Sequence, residues 1–317
     1  MNLFYTIGDV HLGKKFRSKD IPLDKRGVRE KLLLARFQLY VNNAIKQVKG
    51  GYYKGVVQVG DLFDSFCVSY EDLLLAYQIL SEFEKNQIPC YILAGNHDVS
   101  KDNTRVSAFS LLKKMMTDSG YKHISFIEEN VRAYKIGDET YIFVPYVHGK
   151  TYEEQLTPYT KLPGKTVVFG HFEEPYTDWL KRNFGEIYTG HIHLPRKEGN
   201  ITVVGSIMPL TFAEDSTNQF MRTCTLADYE ADLAHGLSSY RCYRIRLKDG
   251  EELPNNPNCL QMSIYRDNKD DSDSEDLSVA FETFDFEELM HEALDNLGLF
   301  EEIYKVYSEY KMLEASE

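Results

Sequence analysis

Asp9, Asp61, Asn96 and five histidines sit in five short motifs spread along this chain. The motifs read Gly8-Asp9-Val10-His11, Gly60-Asp61-Leu62-Phe63-Asp64, Gly95-Asn96-His97-Asp98, Gly170-His171 and Gly190-His191-Ile192-His193. A divalent ion such as manganese accepts carboxylate, amide oxygen and imidazole together. Two such ions, roughly 3.5–4 Å apart, can clamp a phosphoryl group and hold a hydroxide nucleophile. That arrangement needs one bridging carboxylate, and Asp61 is the natural bridge because its motif falls centrally in the expected sheet order. Asn96 can ligate without adding charge. His97 then stays free for proton transfer or for stabilising the transition state, with Asp98 placed to orient it. Singly, a Gly-Asp pair or a histidine is commonplace. Five motifs in this order, each after an apolar run, point jointly to a two-metal hydrolase.

The elements that must position these groups follow from the same stretches. Leu3–Ile7, Val56–Val59, Cys90–Ala94, Thr166–Phe169 and Glu186–Thr189 are short and largely apolar, aromatic or β-branched. Each leads directly into one motif, as buried strands lead into loops. Residues 29–48 place Leu32, Leu33, Ala35, Leu39, Tyr40 and Ala44 at near-helical spacing, and residues 70–85 do the same with Leu73, Leu74, Tyr77, Leu80 and Phe83. Strands alternating with helices predict an α/β layer with ligands at the carboxyl ends of the strands.

Spelled out more fully, Gly8-Asp9-Val10-His11-Leu12-Gly13, Gly60 to Asp64, Gly95 to Asp98 and Gly190-His191-Ile192-His193-Leu194-Pro195 resemble the calcineurin-like metallophosphoesterases, and within them the SbcD-type recombination nucleases. Gly205-Ser206-Ile207-Met208-Pro209-Leu210-Thr211-Phe212 resembles a strand exit of the same group. Ser/Thr phosphatases of the superfamily usually end the third motif in Glu and carry Arg-Gly after the second; this chain has Asp98 and no such pair. The resemblance covers roughly residues 1–250 and implies a two-sheet metallophosphoesterase sandwich flanked by helices. It also implies that Asp9, His11, Asp61 and His193 bind one metal, that Asp61, Asn96, His171 and His191 bind the other, and that His97 is the catalytic histidine. The implied ions are two Mn2+, with Mg2+ as the alternative. Some family nucleases have His where this chain has Asp64. Family members dimerise through helices near the second and third motifs. Leu73, Leu74, Tyr77, Phe109, Leu111 and Leu112 are the candidates for a homodimer, and core packing explains them equally well.

Charge is unevenly distributed. The net charge is −13, but residues 251–317 hold 19 acidic against 4 basic residues, a balance of −15, which leaves +2 for residues 1–250. Lys14, Lys15 and Arg17, followed by Lys19, Lys25, Arg26 and Arg29, cluster after the first motif and are candidates for phosphate contacts with DNA; a solvated loop is the plain alternative. Five scattered cysteines (Cys67, Cys90, Cys224, Cys242 and Cys259) form no CxxC pair and read as reduced thiols. With no long apolar run and no signal-peptide pattern, the expected location is cytoplasmic, or the host cytoplasm for a phage-encoded chain. His123, His148, His235 and His291 fall outside the motifs and read as structural or solvated, His148 bordering the cleft at most.

Met221–Thr225 and Tyr240–Arg246 are strand-like and are expected to finish the second sheet. Residues 251–284 then form a short cap segment and an acidic linker, centred on Asp267–Asp276. From Asp285 the chain reads as a helical hairpin. Phe286, Leu289, Met290, Leu294 and Leu297 share one face, and Ile303, Tyr304 and Tyr307 share another. In SbcD-type nucleases such a segment docks on an SMC-like ATPase, SbcC, so the resemblance implies that partner. The whole then reads as a phage-like compact DNA exonuclease and endonuclease subunit working with that ATPase in DNA recombination and double-strand break repair. The alternatives are a stand-alone phosphoesterase for nucleotides or small phosphoesters, and a non-catalytic scaffold.

Overall fold

The computed structural model describes residues 4–100, 105–215, 220–236, 241–256 and 258–265. The candidate partner residues Phe286 to Tyr307 and the acidic linker lie outside the described residues. One compact unit runs to Tyr265.

The first sheet has the order β1-β2-β3-β4 and is entirely parallel, from Tyr5–Ile7, Val56–Gln58, Cys90–Leu93 and Ile124–Ile127. Helices α1 (Val28–Lys49), α2 (Tyr70–Lys85) and α3 (Ala108–Asp118) connect its strands and cover its outer face. The expected helices over 29–48 and 70–85 are thus α1 and α2. Ser69 and Ser107 cap α2 and α3 by accepting the backbone N–H groups of Asp72 and Ser110, which satisfies donors that a helix start leaves open.

The second sheet has six strands: β5 (Arg132–Ile136), β6 (Glu139–Val144), β7 (Lys165–His171), β8 (Glu186–Gly190), β9 (Arg196–Glu198) and β10 (Ile201–Val203), in the order β5-β6-β7-β8-β10-β9. Its centre, β6-β7-β8-β10, is parallel. The short helices α4 (Tyr152–Leu156) and α5 (Asp178–Asn183) lie along its chain path, and Leu156 and Leu180 join the core on its outer side. The inner faces of the two sheets meet in a shared core of Phe4, Val57, Val59, Leu93, Ile127, Tyr141, Phe143, Val167 and Phe169. Phe4 packs edge-on against Tyr91, Tyr141, Phe143 and Phe169. Burying each such ring contributes on the order of 2 kcal/mol. This is the expected α/β sandwich.

Met221–Thr225 (β11) and Cys242–Arg246 (β12) do not finish the second sheet, as the sequence led us to expect. They pair in parallel with each other and with β13 (Gln261–Ile264) in a separate three-stranded sheet, with α6 (Leu226–Ala234) crossing between β11 and β12. A parallel β-α-β unit is self-contained: the helix covers one face, and Tyr229, Tyr243 and Ile245 make a small core there. The expected domain boundary at residue 250 falls inside this layer, because β13 lies beyond it.

Of the dimer candidates, Leu73, Phe109 and Leu112 are buried in the core, whereas Leu74 and Leu111 are exposed. Among the described cysteines, Cys67 is exposed and Cys90, Cys224, Cys242 and Cys259 are buried, and none is joined in a disulfide.

Candidate metal centre

All five motifs sit at carboxyl ends of strands from both sheets, so one rim of the sandwich gathers them. Asp9 and His11 follow β1, Asp61 follows β2 and Asn96 to Asp98 follow β3. His171 closes β7, while His191 and His193 follow β8. The backbone is forced there. His11, Asp61 and His191 have positive φ (51°, 51° and 77°), and Gln87 is the one other non-glycine residue among those described with this conformation. Such strain concentrates where surrounding structure holds a side chain for function. Two glycines make room. A Cβ on Gly60 would stand 2.3 Å from His171 Nδ1, and one on Gly95 2.2 Å from the Asp61 backbone nitrogen.

Three groups of potential ligands result: Asp9, His11 and His193; Asp61, His171 and His191; and His11, Asp64 and His97. Asp61 links the first two groups, with Oδ2 at 3.6 Å from His11 Nε2 and 3.3 Å from His171 Nε2. Asn96 Oδ1 lies 2.9 Å from His171 Nε2 and 3.0 Å from His191 Nδ1.

The donor atoms face one another. His171 Nδ1 donates to the Val59 carbonyl at 3.0 Å, so the proton of a neutral ring is fixed there and the Nε2 lone pair points at the Asn96 and Asp61 oxygens. His11 Nε2 and His193 Nε2 are 3.0 Å apart. Asp9 is fully buried, and neither carboxylate oxygen has a hydrogen-bond partner. Lone pairs and an orphaned carboxylate converging on one space are costly unless a cation occupies it. The residues therefore fit a divalent ion pair. Protons respond to the same crowding. Burial pushes Asp9 up to about 7. Burial opposes a charge on His171, yet Asp61 beside it raises that ring to about 9. Burial and the neighbouring His171 press His191 down to about 4.

His97 is exposed at the rim. Its backbone N–H donates to Asp61 Oδ1 at 2.9 Å, and its Nδ1 donates to the Asp64 carbonyl at 2.7 Å. Here the structure corrects one expectation: Asp98 does not orient His97. The Asp98 carboxylate is buried and accepts the backbone N–H groups of Leu62 (3.1 Å), Phe63 (2.8 Å) and Gly95 (2.9 Å). It clamps the second-motif loop to the third, because a buried carboxylate gains more from three fixed amides than from one exposed ring.

Sequence reasoning missed two carboxylates. Asp64 Oδ1 stands 3.3 Å from His11 Nδ1 and 3.2 Å from Lys14 Nζ. Glu214 Oε1 stands 3.1 Å from His193 Nδ1. Asp64 lay within a quoted motif; Glu214, 21 positions beyond His193, carried no local signal. Lys15 and Arg17 are exposed and line, with Phe16, Lys19 and Arg26, a cavity of about 550 Å³. His123 pairs with Glu84 at 3.0 Å, away from the motifs, and His148 is exposed.

A profile of calcineurin-like phosphoesterases matches residues 3–235. The chain belongs to this family. It is therefore a hydrolase of the metallophosphoesterase type, whose members use divalent metals. Among its relatives, the DNA double-strand break repair protein Mre11 of Methanococcus maripaludis is 29% identical over 166 residues, covering 46% of this chain and 43% of that protein. Mre11 of Sulfurisphaera tokodaii is 26% identical over 204 residues, covering 60% and 48%. Mre11 of Sulfolobus acidocaldarius is 24% identical over 283 residues, covering 81% and 67%. The chain spans less than half the length of the first two relatives. No helix among the described residues is long and apolar enough to cross a membrane.

Proposed function

We propose that this chain is the nuclease subunit of a DNA recombination and break-repair machine, cleaving phosphodiester bonds at a two-metal centre. The observation that carries the reading is the convergence of the orphaned Asp9 carboxylate and four imidazoles around Asp61. On this reading Asp9, His11, Asp61 and His193 hold one ion, and Asp61, Asn96, His171 and His191 hold the other. The ions are Mn2+, with Mg2+ the alternative. When bound, such a pair polarises a phosphoryl group and makes water nucleophilic near neutral pH.

The chain's own residues do the rest. His97 keeps its Nδ1 proton on the Asp64 carbonyl, so Nε2 is the atom free to face substrate. As an imidazolium it donates a proton to the leaving oxygen or a hydrogen bond to the phosphoryl group. Asp98 holds the Asp61 and His97 loops at fixed separation. Lys14 is tied to Asp64 and Lys15 lies 3.6 Å from Asp72, whereas the exposed Arg17 is open to backbone phosphates.

The substrate and partner rest on other support. The Mre11 relatives are named for double-strand break repair, which favours DNA over small phosphoesters. The acidic stretch and the amphipathic pattern of residues 285–317 favour docking on an SMC-like, SbcC-type ATPase. A homodimer in the cytoplasm completes the proposal.

The test is cleavage of linear duplex and single-stranded DNA with Mn2+ or Mg2+, with and without the ATPase. Metal-dependent loss of DNA is the expected result. Hydrolysis of small phosphoesters with DNA left intact would overturn the nuclease reading. Unchanged ATPase binding by a chain cut after residue 266 would refute the docking role of the tail.

A further inference from the structure

The two ligand groups differ in what stands behind their histidines. Behind His171 of the second group the nearest support is neutral: its Nδ1 rests on the Val59 carbonyl at 3.0 Å, with Asp9 Oδ1 farther off at 3.9 Å. The first group is backed by carboxylates. His193 Nδ1 meets Glu214 Oε1 at 3.1 Å, and His11 Nδ1 lies 3.3 Å from Asp64 Oδ1.

Glu214 is held in place before it meets His193. It ends a single 3-10 turn, Phe212–Glu214. Its Oε2 accepts the Leu210 N–H at 2.8 Å, and its Oε1 accepts the Thr211 hydroxyl at 3.0 Å. The Leu210 carbonyl in turn accepts Arg29 Nη2 at 2.8 Å, and Arg29 Nη1 donates to Gln261 of β13 at 3.2 Å. Arg29 also stacks over Phe16, its guanidinium carbon 3.8 Å from the ring centroid. A buried arginine on α1 thus ties the third sheet to the turn that carries Glu214.

We propose that Glu214 is a positioning residue for His193, fixing its ring so that Nε2 faces the centre, and that it makes the Asp9–His11–His193 site the tighter of the two. A carboxylate on one imidazole nitrogen sets the tautomer and strengthens the other nitrogen as a ligand; losing such a partner typically costs 10- to 100-fold in metal affinity. Asp64 Oδ1 lies near His11 Nδ1 at 3.3 Å, but the two are not hydrogen-bonded and Asp64 is shared with Lys14. The inference rests on the two-ion reading above.

The experiment is calorimetric titration of Mn2+ into the metal-free full chain. The proteins are wild type, Glu214→Ala, Glu214→Gln, His193→Ala and the double variant Glu214→Ala/His193→Ala. Wild type should bind two ions. Glu214→Ala should weaken one of them roughly 10- to 100-fold and leave the other within about threefold. Glu214→Gln keeps an oxygen for the Nδ1 proton and for the 210–214 turn, so it should recover part of that loss. This variant also carries the test if Glu214→Ala fails to fold. Because Glu214 acts through His193, removing it should add nothing in the His193→Ala background. A purely structural role would weaken both sites together or add fully to His193→Ala, and either result overturns the proposal, as does wild-type titration of Glu214→Ala. Fewer than two ions in wild type would overturn the two-ion reading itself, and this inference with it.

Discussion

The two ends of the central strands bury charge in opposite ways. At their amino ends Glu139 lies 3.2 Å from Lys54 and 3.6 Å from Lys165, and Lys165 also meets Glu186 at 2.5 Å. Tyr141 donates to Glu139, and Tyr188 to Glu186. Every charge in that group has an opposite neighbour within the chain. At the carboxyl ends the buried Asp9 oxygens accept no hydrogen bond and have only the His171 and His193 rings near them, at 3.9 and 3.7 Å; His11 and His193 face each other, and three residues take a strained left-handed backbone. One end is charge-paired within the chain, although Glu139 Oε1 accepts no hydrogen bond. The other pairs its carboxylates only with imidazoles, which must hold protons when no metal ion takes their place. The difference separates what stabilises this fold from what it does.

The contrast can be broken at either end. The largest expected effect is at His97. His97→Ala should leave both ions bound and lower DNA cleavage about a hundredfold or more, in line with general-acid contributions; single-turnover rates with Mn2+ check this, and a near wild-type rate would remove His97 from the chemistry. Gly95→Ala comes next. The added methyl would stand 2.2 Å from Asp61 Oδ1 as well as from its backbone nitrogen. It should displace the bridging carboxylate, weaken both ions in a Mn2+ titration and lower the melting temperature. At the opposite end, Glu139→Ala should destabilise by roughly 1–3 kcal/mol, the worth of hydrogen bonds to a charged group. It should leave the cleavage rate per folded molecule unchanged, as read by thermal melting beside the nuclease assay.

The smallest effect is a pH slope. His171 is raised from its ordinary range to about 9. Its protonated form therefore stabilises the metal-free fold below pH 6.5, and that contribution fades as pH climbs through 9. Burial disfavours the charge on His193 too, but Glu214 raises that ring on balance, in the same direction. The melting temperature of metal-free protein should fall between pH 7 and 9. Saturating Mn2+ should raise it and abolish that slope, because ions that bind only the folded state stabilise it by mass action. A flat metal-free profile would contradict the crowding inferred at the centre.

Much of this was legible in the sequence because it is local. A strand, a turn and the motif that follows are contiguous, so β1, β2, β3, β7 and β8 and their ligand candidates could be read from apolar runs and glycines. Helices α1 and α2 followed from periodicity. The contacts that sequence reasoning missed or misassigned join distant segments. Asp98 looked like a partner for its neighbour His97, but burial turns it toward Leu62 and Phe63, 36 and 35 residues earlier. Glu214 reaches His193 only because β10 and the Gly205–Leu210 segment return the chain to the rim. The third sheet was misplaced for a similar reason: β11 and β12 have the pattern of strands, but pattern alone does not say which sheet takes them. Their third strand, β13, lies past a Pro-Asn-Asn-Pro stretch that reads as a boundary.

Counting Mn2+ ions bound by wild type and by Asp61→Asn tests the central claim most directly. The two proposed ion sites share only Asp61, so the account predicts two ions in wild type and weakened binding of both in the variant. Two ions at full occupancy and unchanged affinity in Asp61→Asn would contradict it.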